Sequence, residues 1–273
     1  MPAPIIQGGA QSLLWRIRDV MRMRPILAGA LVAGLLAPTW WGGPTPAHAA
    51  DALTDDQKAA VRALVRETLL DDPEIIAEAL EVYQERQQAE KAAQARAAIA
   101  HNRAALMAAE PEDVLGNPDG DVTIVEFSDY QCGYCKRVFP ELMQAVEADG
   151  NVRLIIRELP ILGPESVVAA RAAVASRAQD LYPAFHKALM EMKGGVSEAS
   201  VMQLAAEVGL DVEALRKDMN DPALDEVFGQ NIALAKQLGV SGTPAFVIGG
   251  TLVPGAVSGE QLNALIEQAR ADG

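Results

Sequence analysis

Two stretches near the front of the chain carry apolar residues at helical spacing. The pattern predicts two amphipathic helices, because positions three and four residues apart return to one face. Thr54 and Gln57 fit a capping box at the start of the first helix. Asp72-Pro73 predicts a restart, with Asp72 as N-cap and Pro73 at the first helical position. The two apolar stripes consist of Val61, Leu64, Val65 and Leu69, and of Ile75, Ile76, Leu80 and Tyr83.

The segment that follows has strong helix formers but no apolar face. Residues 84–105 are mostly Ala, Gln, Glu, Lys and Arg, and Ile99 is their one large aliphatic side chain. This composition predicts a semi-rigid helical spacer that does not pack against a domain. Because two short stripes bury little alone, we expect residues 53–83 to pack against copies of themselves as a homo-oligomer. The alternative is that these helices fold back onto the downstream domain.

Strand patterns begin after residues 111–121, a turn-rich linker in which we place a domain boundary. Residues 122–127 are β-branched and apolar apart from one charge, and they predict a buried strand. A helical pattern follows to about residue 148, and residues 152–159 predict a second strand. Residues 164–238 are then almost wholly helical in pattern. The N-caps expected within that helical segment are Ser197 and Asp211.

The chain has two cysteines, Cys132 and Cys135, and this excludes a multi-disulfide scaffold or a four-cysteine zinc site. The order strand, CxxC, helix, strand is typical of the first βαβ unit of a thioredoxin-like fold, where the motif is a redox pair. A sulfur at a helix N-terminus has its thiol pKa lowered below the usual value of about 8.5. We therefore predict that Cys132 attacks and Cys135 resolves, with Gly133 and Tyr134 as the intervening dipeptide.

Glu126 interrupts the first apolar strand six residues before Cys132. This spacing would place its carboxylate beneath the cysteine pair. A buried carboxylate has a raised pKa and can take the proton that Cys135 must lose. The alternative is a surface position on an edge strand.

Glu126-Phe127 followed by Cys132-Gly133-Tyr134-Cys135 resembles the DsbA-like branch of the thioredoxin superfamily. Residues 242–250 are similar to the loop of that family in which a cis-proline faces the cysteine pair. The resemblance implies that Pro244 is cis and that Thr243 presents its backbone to a substrate peptide. It also implies an α/β thioredoxin-like fold with an all-helical insertion at about residues 164–238. A strand at residues 251–254 and a helix at residues 258–271 complete that frame.

The N-terminal helices, the Ala-rich helix and this domain together resemble the ScsC-type branch (suppressor of copper sensitivity). The resemblance implies disulfide shuffling in unfolded or misoxidised exported proteins, without a cofactor. It further implies a membrane thiol reductase or oxidase that resets the cysteine pair. Some members of the branch are trimers, so a trimer held by residues 53–83 is one possible form of the homo-oligomer. No metal site is expected, because the histidines after residue 50, His101 and His186, are far apart.

Residues 1–50 read as a cleaved secretory signal peptide. Four arginines precede a charge-free apolar run at residues 25–38, and Ala47-His48-Ala49 supplies small residues for cleavage. The run is shorter than the ~20 residues that span a bilayer, although an uncleaved anchor is an alternative. Export would place the cysteines in the periplasm, where disulfides persist. The net charge of −14 argues against nucleic-acid binding.

The sequence thus predicts a signal peptide at residues 1–50, an N-terminal helical oligomerisation region and spacer at residues 51–110, and a DsbA-like thioredoxin domain at residues 111–273. The predicted function is that of a periplasmic protein thiol–disulfide oxidoreductase or isomerase. Three alternatives remain open at this point: a net disulfide oxidase without isomerase activity, a non-enzymatic copper(I) carrier that uses the paired thiolates, and a chaperone whose cysteines are incidental.

Overall fold

The computed structural model describes residues 53–272. The signal peptide predicted at residues 1–50 lies outside this range. No helix within the described part of the chain is both long and apolar enough to cross a membrane.

Five strands form one mixed sheet in the order β1-β3-β2-β4-β5. The central strands β2 and β3 are parallel, and Val122 lies opposite Val152. The β4 strand is antiparallel to β2, with Phe246 opposite Glu126, and the two outer pairs are also antiparallel. The strands are β1 (Val114–Gly116), β2 (Val122–Ser128), β3 (Val152–Glu158), β4 (Ala245–Ile248) and β5 (Thr251–Pro254).

The expectation that residues 111–121 form a linker is wrong, because part of this segment belongs to the sheet. A short 3-10 turn at Pro111–Asp113 leads into β1, where Val114 lies opposite Ile155 and Leu115 is buried. Three residues are too few to establish an alternating pattern, and the flanking turn residues dominate the sequence signal.

Helices fill the chain between β3 and β4, as the sequence predicts. Ser197 and Asp211 both act as N-caps, through hydrogen bonds from backbone amides in the first turns that follow them. Gly209 ends one of these helices in a left-handed conformation with φ +100°, which favours glycine. The insertion contains α5 (Pro164–Ala175), α6 (Tyr182–Glu191), α7 (Glu198–Val208), α8 (Val212–Asp218) and α9 (Ala223–Leu238). The helices outside it are α1 (Asp55–Asp71), α2 (Glu74–His101), α3 (Arg103–Met107), α4 (Gly133–Asp149) and α10 (Gly259–Asp272).

The N-terminal helices begin close to the predicted positions. The Thr54 hydroxyl accepts from the Gln57 amide over 3.3 Å, and the Gln57 side chain accepts from the Thr54 amide over 2.9 Å, so the capping box is confirmed. The restart is displaced by one residue, because Pro73 and not Asp72 occupies the N-cap position of α2. Pro73 already has helical angles (φ −67°, ψ −16°), and the Asp72 carbonyl accepts the Ile75 amide in a tight turn.

The C-terminal end of α2 packs against the sheet domain. Ile99 is 5% exposed and joins an apolar cluster that includes Leu106, Phe127 and Val247. The prediction that residues 84–105 cannot pack against a domain is therefore wrong at this end. One large aliphatic side chain, flanked by alanines that allow close approach, is enough to bury the last turns.

Successive residues of β2 face opposite sides of the sheet and so divide the core in two. Val125 and Phe127 pack on the side of α9 and the end of α2. Ile124 packs on the other side, with α4 and the cysteine pair. Glu126 shares the face of Ile124, and this places its carboxylate under the start of α4.

Candidate active site

Cys132 is the N-cap residue of α4, and Cys135 lies in the first turn of that helix. The Cys132 sulfur accepts a hydrogen bond from the Cys135 backbone amide over 3.4 Å. Cys132 is 5% exposed and Cys135 is completely buried, so a substrate can approach only the first sulfur. Both are free thiols in the structure. Between them, Tyr134 is exposed and the Arg137 guanidinium lies 4.8 Å from the centre of its ring.

The two thiols have opposite acid strengths. A hydrogen bond from the Cys135 thiol, helped by backbone amides at the start of α4, lowers the pKa of Cys132 to about 5 against the effect of burial. The same hydrogen bond, together with burial and the nearby Glu126 carboxylate, raises the pKa of Cys135 far above its usual range. At neutral pH the pair therefore carries one negative charge, on Cys132.

The loop before β4 meets the cysteine pair. The Thr243–Pro244 peptide bond is cis, as the resemblance implies. The Thr243 carbonyl oxygen lies 3.1 Å from the Cys132 sulfur and accepts from the thiol when the thiol is protonated. A role for Thr243 and Pro244 in substrate binding remains a prediction.

Glu126 is completely buried, and the alternative of a surface position on an edge strand is wrong. Neither of its carboxylate oxygens has a hydrogen-bond partner in the described part of the chain. Burial raises the pKa of Glu126 to about 7, and the Cys132 thiolate adds to the shift. Ser128, two residues further along the same face of β2, lies close enough to lower the pKa of Glu126 and so offsets part of this rise. The Ser128 hydroxyl also has no hydrogen-bond partner in the described part of the chain.

Asp129 anchors the turn before Cys132, a role that the sequence reasoning missed. One carboxylate oxygen accepts from the Gln131 amide and the Ser166 hydroxyl over 2.8 and 2.7 Å. The other accepts from the Ile161 and Leu162 amides over 2.9 and 3.1 Å. An aspartate two residues before a backbone amide is the signal of an Asx turn, and it was available in the sequence.

His186 is buried and distant in sequence from the cysteines, as expected of a packed histidine. Burial lowers its pKa to about 3, so it is neutral. Within residues 53–272 no group of three or more His, Cys, Asp or Glu side chains is arranged to hold a metal ion.

Comparison with known families agrees with this geometry. The family model described as a DSBA-like thioredoxin domain matches residues 123–267, which include both cysteines, Glu126 and Pro244. The chain belongs to the DsbA-like thioredoxin family. This is a family of thiol–disulfide oxidoreductases. A second family model, the copper resistance protein ScsC N-terminal domain, matches residues 57–90.

Solved structures of the DsbA-like family resemble the chain over different lengths. A thioredoxin-like oxidoreductase from Silicibacter pomeroyi is 51% identical, with a TM-score of 0.60, and the match covers 62% of this chain and 98% of that one. A linker-deletion mutant of ScsC from Proteus mirabilis is 32% identical, with a TM-score of 0.61. That match covers 82% of this chain and 100% of the other, so it includes N-terminal helices.

The chain also matches part of a longer curated protein. The Na(+)/H(+) antiporter NhaA 1 of Salinispora arenicola is 29% identical over 162 residues, which is 59% of this chain. The chain spans about a quarter (25%) of the length of that relative.

Proposed function

We propose that the protein is a periplasmic thiol–disulfide oxidoreductase that rearranges disulfides in exported proteins. One observation carries the proposal: the accessible sulfur of Cys132 is the acidic member of the pair, and the resolving sulfur of Cys135 is buried beside an acceptor for its proton. A thiolate is the reactive form in disulfide exchange, and a low pKa keeps it populated at neutral pH.

The exchange begins when the Cys132 thiolate attacks one sulfur of a substrate disulfide. A mixed disulfide forms, the substrate S–S bond breaks, and the second substrate sulfur leaves as a thiolate. In an isomerase cycle a different substrate thiolate then attacks the mixed disulfide, which releases Cys132 as a thiolate and leaves the substrate with a new disulfide. No net oxidation or reduction occurs, so the protein must be kept reduced by a membrane thiol reductase.

The pair can instead resolve internally. Cys135 gives its proton to Glu126, attacks the Cys132 sulfur and expels the remaining substrate thiolate. The substrate leaves reduced, and the protein leaves with a Cys132–Cys135 disulfide. Glu126 suits this step because a carboxylate with a pKa of about 7 can accept and release a proton near neutral pH.

The reverse of this reaction would make the protein an oxidase, because the Cys132–Cys135 disulfide would then oxidise two substrate thiols to a disulfide. A low Cys132 pKa stabilises the reduced form and makes the disulfide more oxidising. Net oxidation therefore remains the second candidate activity, with a membrane thiol oxidase as its partner. We place the isomerase first because the resemblance to the ScsC-type branch implies disulfide shuffling, and residues 57–90 match the ScsC N-terminal model.

Homo-oligomerisation through residues 53–83 is part of the proposal. None of the residues of α1 is buried, and Ile76, Leu80 and Tyr83 of α2 are each more than half exposed. Apolar side chains in such numbers mark a surface for another protein chain. A second or third copy would bring several cysteine pairs to the same substrate.

The decisive experiment compares the protein purified from the exported compartment with Cys132→Ser and Cys135→Ser variants. Rescue of scrambled ribonuclease measures isomerase activity, and oxidation of a reduced peptide measures oxidase activity. We expect Cys132→Ser to lose both, and Cys135→Ser to accumulate mixed disulfides with substrate through Cys132. Activity retained by Cys132→Ser would overturn the proposal. Stoichiometric copper(I) binding without exchange activity would replace it with a carrier function.

A further inference from the structure

Four polar side chains meet in the interior behind the cysteine turn. They come from three parts of the fold: Tyr130 from the turn itself, Glu158 from the end of β3, and Tyr182 and His186 from α6. The Tyr130 and Tyr182 hydroxyls donate to the same oxygen of Glu158 over 2.6 and 2.8 Å. The Tyr130 hydroxyl also lies 2.7 Å from Nδ1 of His186. All four side chains are at least 98% buried.

The positions of the protons in this cluster follow from its contacts. Burial and the neighbouring Glu158 hold the pKa of both tyrosines well above their usual range, so each keeps its single hydroxyl proton. The Tyr130 hydroxyl donates a hydrogen bond to Glu158, and its oxygen can then accept one. His186 must therefore carry its proton on Nδ1 and donate to Tyr130, which leaves Nε2 buried without a partner in the described residues.

A buried nitrogen without a hydrogen-bond partner, such as Nε2 of His186, destabilises the fold. The other contacts of the His186 ring must offset this cost. The His186 ring packs edge-on against Tyr130 and against Phe139 of α4, with ring centres 5.5 Å apart in both pairs. The same residue thus supports the turn before Cys132 and the helix α4, which Cys132 caps. Tyr130 is two residues from the attacking sulfur, and Tyr182 has no such connection.

We propose that Tyr130 is a positioning residue for thiol–disulfide exchange. Its hydroxyl, clamped between Glu158 and His186, fixes the turn so that the Cys132 sulfur stays within reach of the Cys135 amide and the Thr243 carbonyl. Asp129 holds the side of this turn that faces residues 161 and 162, and Tyr130 holds the side that faces α6. The inference rests on the proposed role of Cys132 as the attacking sulfur.

Tyr182 supplies a matched control, because Tyr130→Phe and Tyr182→Phe each remove one hydroxyl from the same Glu158 oxygen. The experiment measures the pH dependence of iodoacetamide alkylation of reduced Cys132 in the full exported protein and in both variants. We expect Tyr130→Phe to raise the Cys132 pKa by about one unit, a tenfold loss in the thiolate-to-thiol ratio. Tyr182→Phe should leave that ratio within about twofold of the unmodified protein.

A third variant separates position from charge. Burial raises the pKa of Glu158 to about 8, so Glu158→Gln removes a charge that develops only above that pH and keeps an oxygen that accepts both hydroxyls. The Cys132 titration should therefore not move if Tyr130 acts by position. A fall in the Cys132 pKa in that variant would show that the Glu158 charge acts directly on the sulfur and would overturn the inference. If Tyr130→Phe does not fold, the Glu158→Gln and Tyr182→Phe titrations still decide, because a shift of the Cys132 pKa in either variant would overturn the inference.

The outcomes distinguish this inference from the function on which it rests. An ordinary Cys132 pKa in the unmodified protein would refute the proposed function. A low pKa in the unmodified protein that is unchanged in Tyr130→Phe, or shifted equally in Tyr182→Phe, would refute only the positioning role.

Discussion

The sheet domain and the N-terminal helices differ in how far they bury their apolar side chains. Leu142 and Phe127 of the sheet domain are completely buried within one chain. In the helices, Leu70 is 67% exposed and Tyr83 is 60% exposed. Full burial of one such side chain contributes about 1.5–3 kcal/mol to the free energy of unfolding. In a single chain, the N-terminal helices do not gain this stabilisation.

This difference separates chemistry from assembly. Every group proposed to take part in disulfide exchange lies at residues 126–135 or 243–244, inside the region that completes its own core. The helices at residues 55–83 contribute none of these groups. Changes in one region should therefore leave the property of the other region intact, and four variants test this in order of expected effect.

The largest effect should come from Cys132→Ser. Loss of the nucleophile should reduce disulfide exchange by roughly a thousandfold or more, as measured by insulin reduction. The mass in solution, from sedimentation equilibrium, should not change. A change in that mass would mean that the cysteine pair takes part in assembly.

The second largest effect should come from the N-terminal helices, where a change should alter assembly and leave the exchange chemistry intact. Ile76→Asp with Leu80→Asp places two charges on one exposed apolar face of α2 and should dissociate the proposed homo-oligomer to monomers. Rescue of scrambled ribonuclease should fall about tenfold, because linked sites act at a high effective concentration.

The matched control for this pair is Gln84→Asp with Gln88→Asp, which adds the same charges at the same helical spacing on polar positions. That variant should keep its mass. Exchange with a small peptide disulfide should be equal in all three proteins. Unchanged mass in the Ile76 and Leu80 variant would contradict assembly through residues 53–83.

The third effect concerns Glu126. Its pKa is about 7 in the folded protein and 4.5 as a free side chain, so the folded state retains the proton more strongly. The stability that follows from this is complete below pH 4.5 and is lost as the pH rises through 7. The loss amounts to about 3 kcal/mol.

Glu126→Gln should remove that loss. Urea unfolding at pH 4.5 and pH 8 should show that the variant is more stable than the unmodified protein at the higher pH only. Resolution of a mixed disulfide by Cys135 should at the same time slow at least about tenfold, because the proton acceptor is gone. An identical pH dependence of unfolding in both proteins would mean that burial does not raise the pKa of Glu126.

The smallest effect should come from Thr54→Ala. It removes the capping box of α1 and should lower the stability of that helix by about 1 kcal/mol, seen as faster amide exchange in its first turn. Thr54→Ser should restore protection. The Cys132 titration should be the same in both variants.

The sequence was most informative where a local rule has one physical cause. The CxxC spacing, the interrupting charge of Glu126 and the Thr54 cap each depend on neighbours within a few residues. They were predicted correctly in position, and the structure adds their surroundings. The roles of the cysteines, Thr243 and Pro244 in exchange remain predictions.

Long-range contacts were beyond the reach of the sequence patterns. β1 can be recognised only from its pairing with β3. The sequence around Ile99 does not indicate which residues of the sheet domain it packs against. The Tyr130–Glu158–His186 cluster joins residues up to 56 positions apart. No periodicity marks such a cluster, because each member occupies an ordinary core position of its own element.

The two outer strands of the sheet bear on how the protein behaves when copies are held together. An exposed strand edge can add a strand from a neighbouring molecule and so start a fibre. Here one edge is the three-residue β1, and the other is the four-residue β5, which ends in Pro254. Such short edges offer few free amides for pairing. In the homo-oligomer proposed above, domains held together through residues 53–83 could therefore meet repeatedly without aggregating.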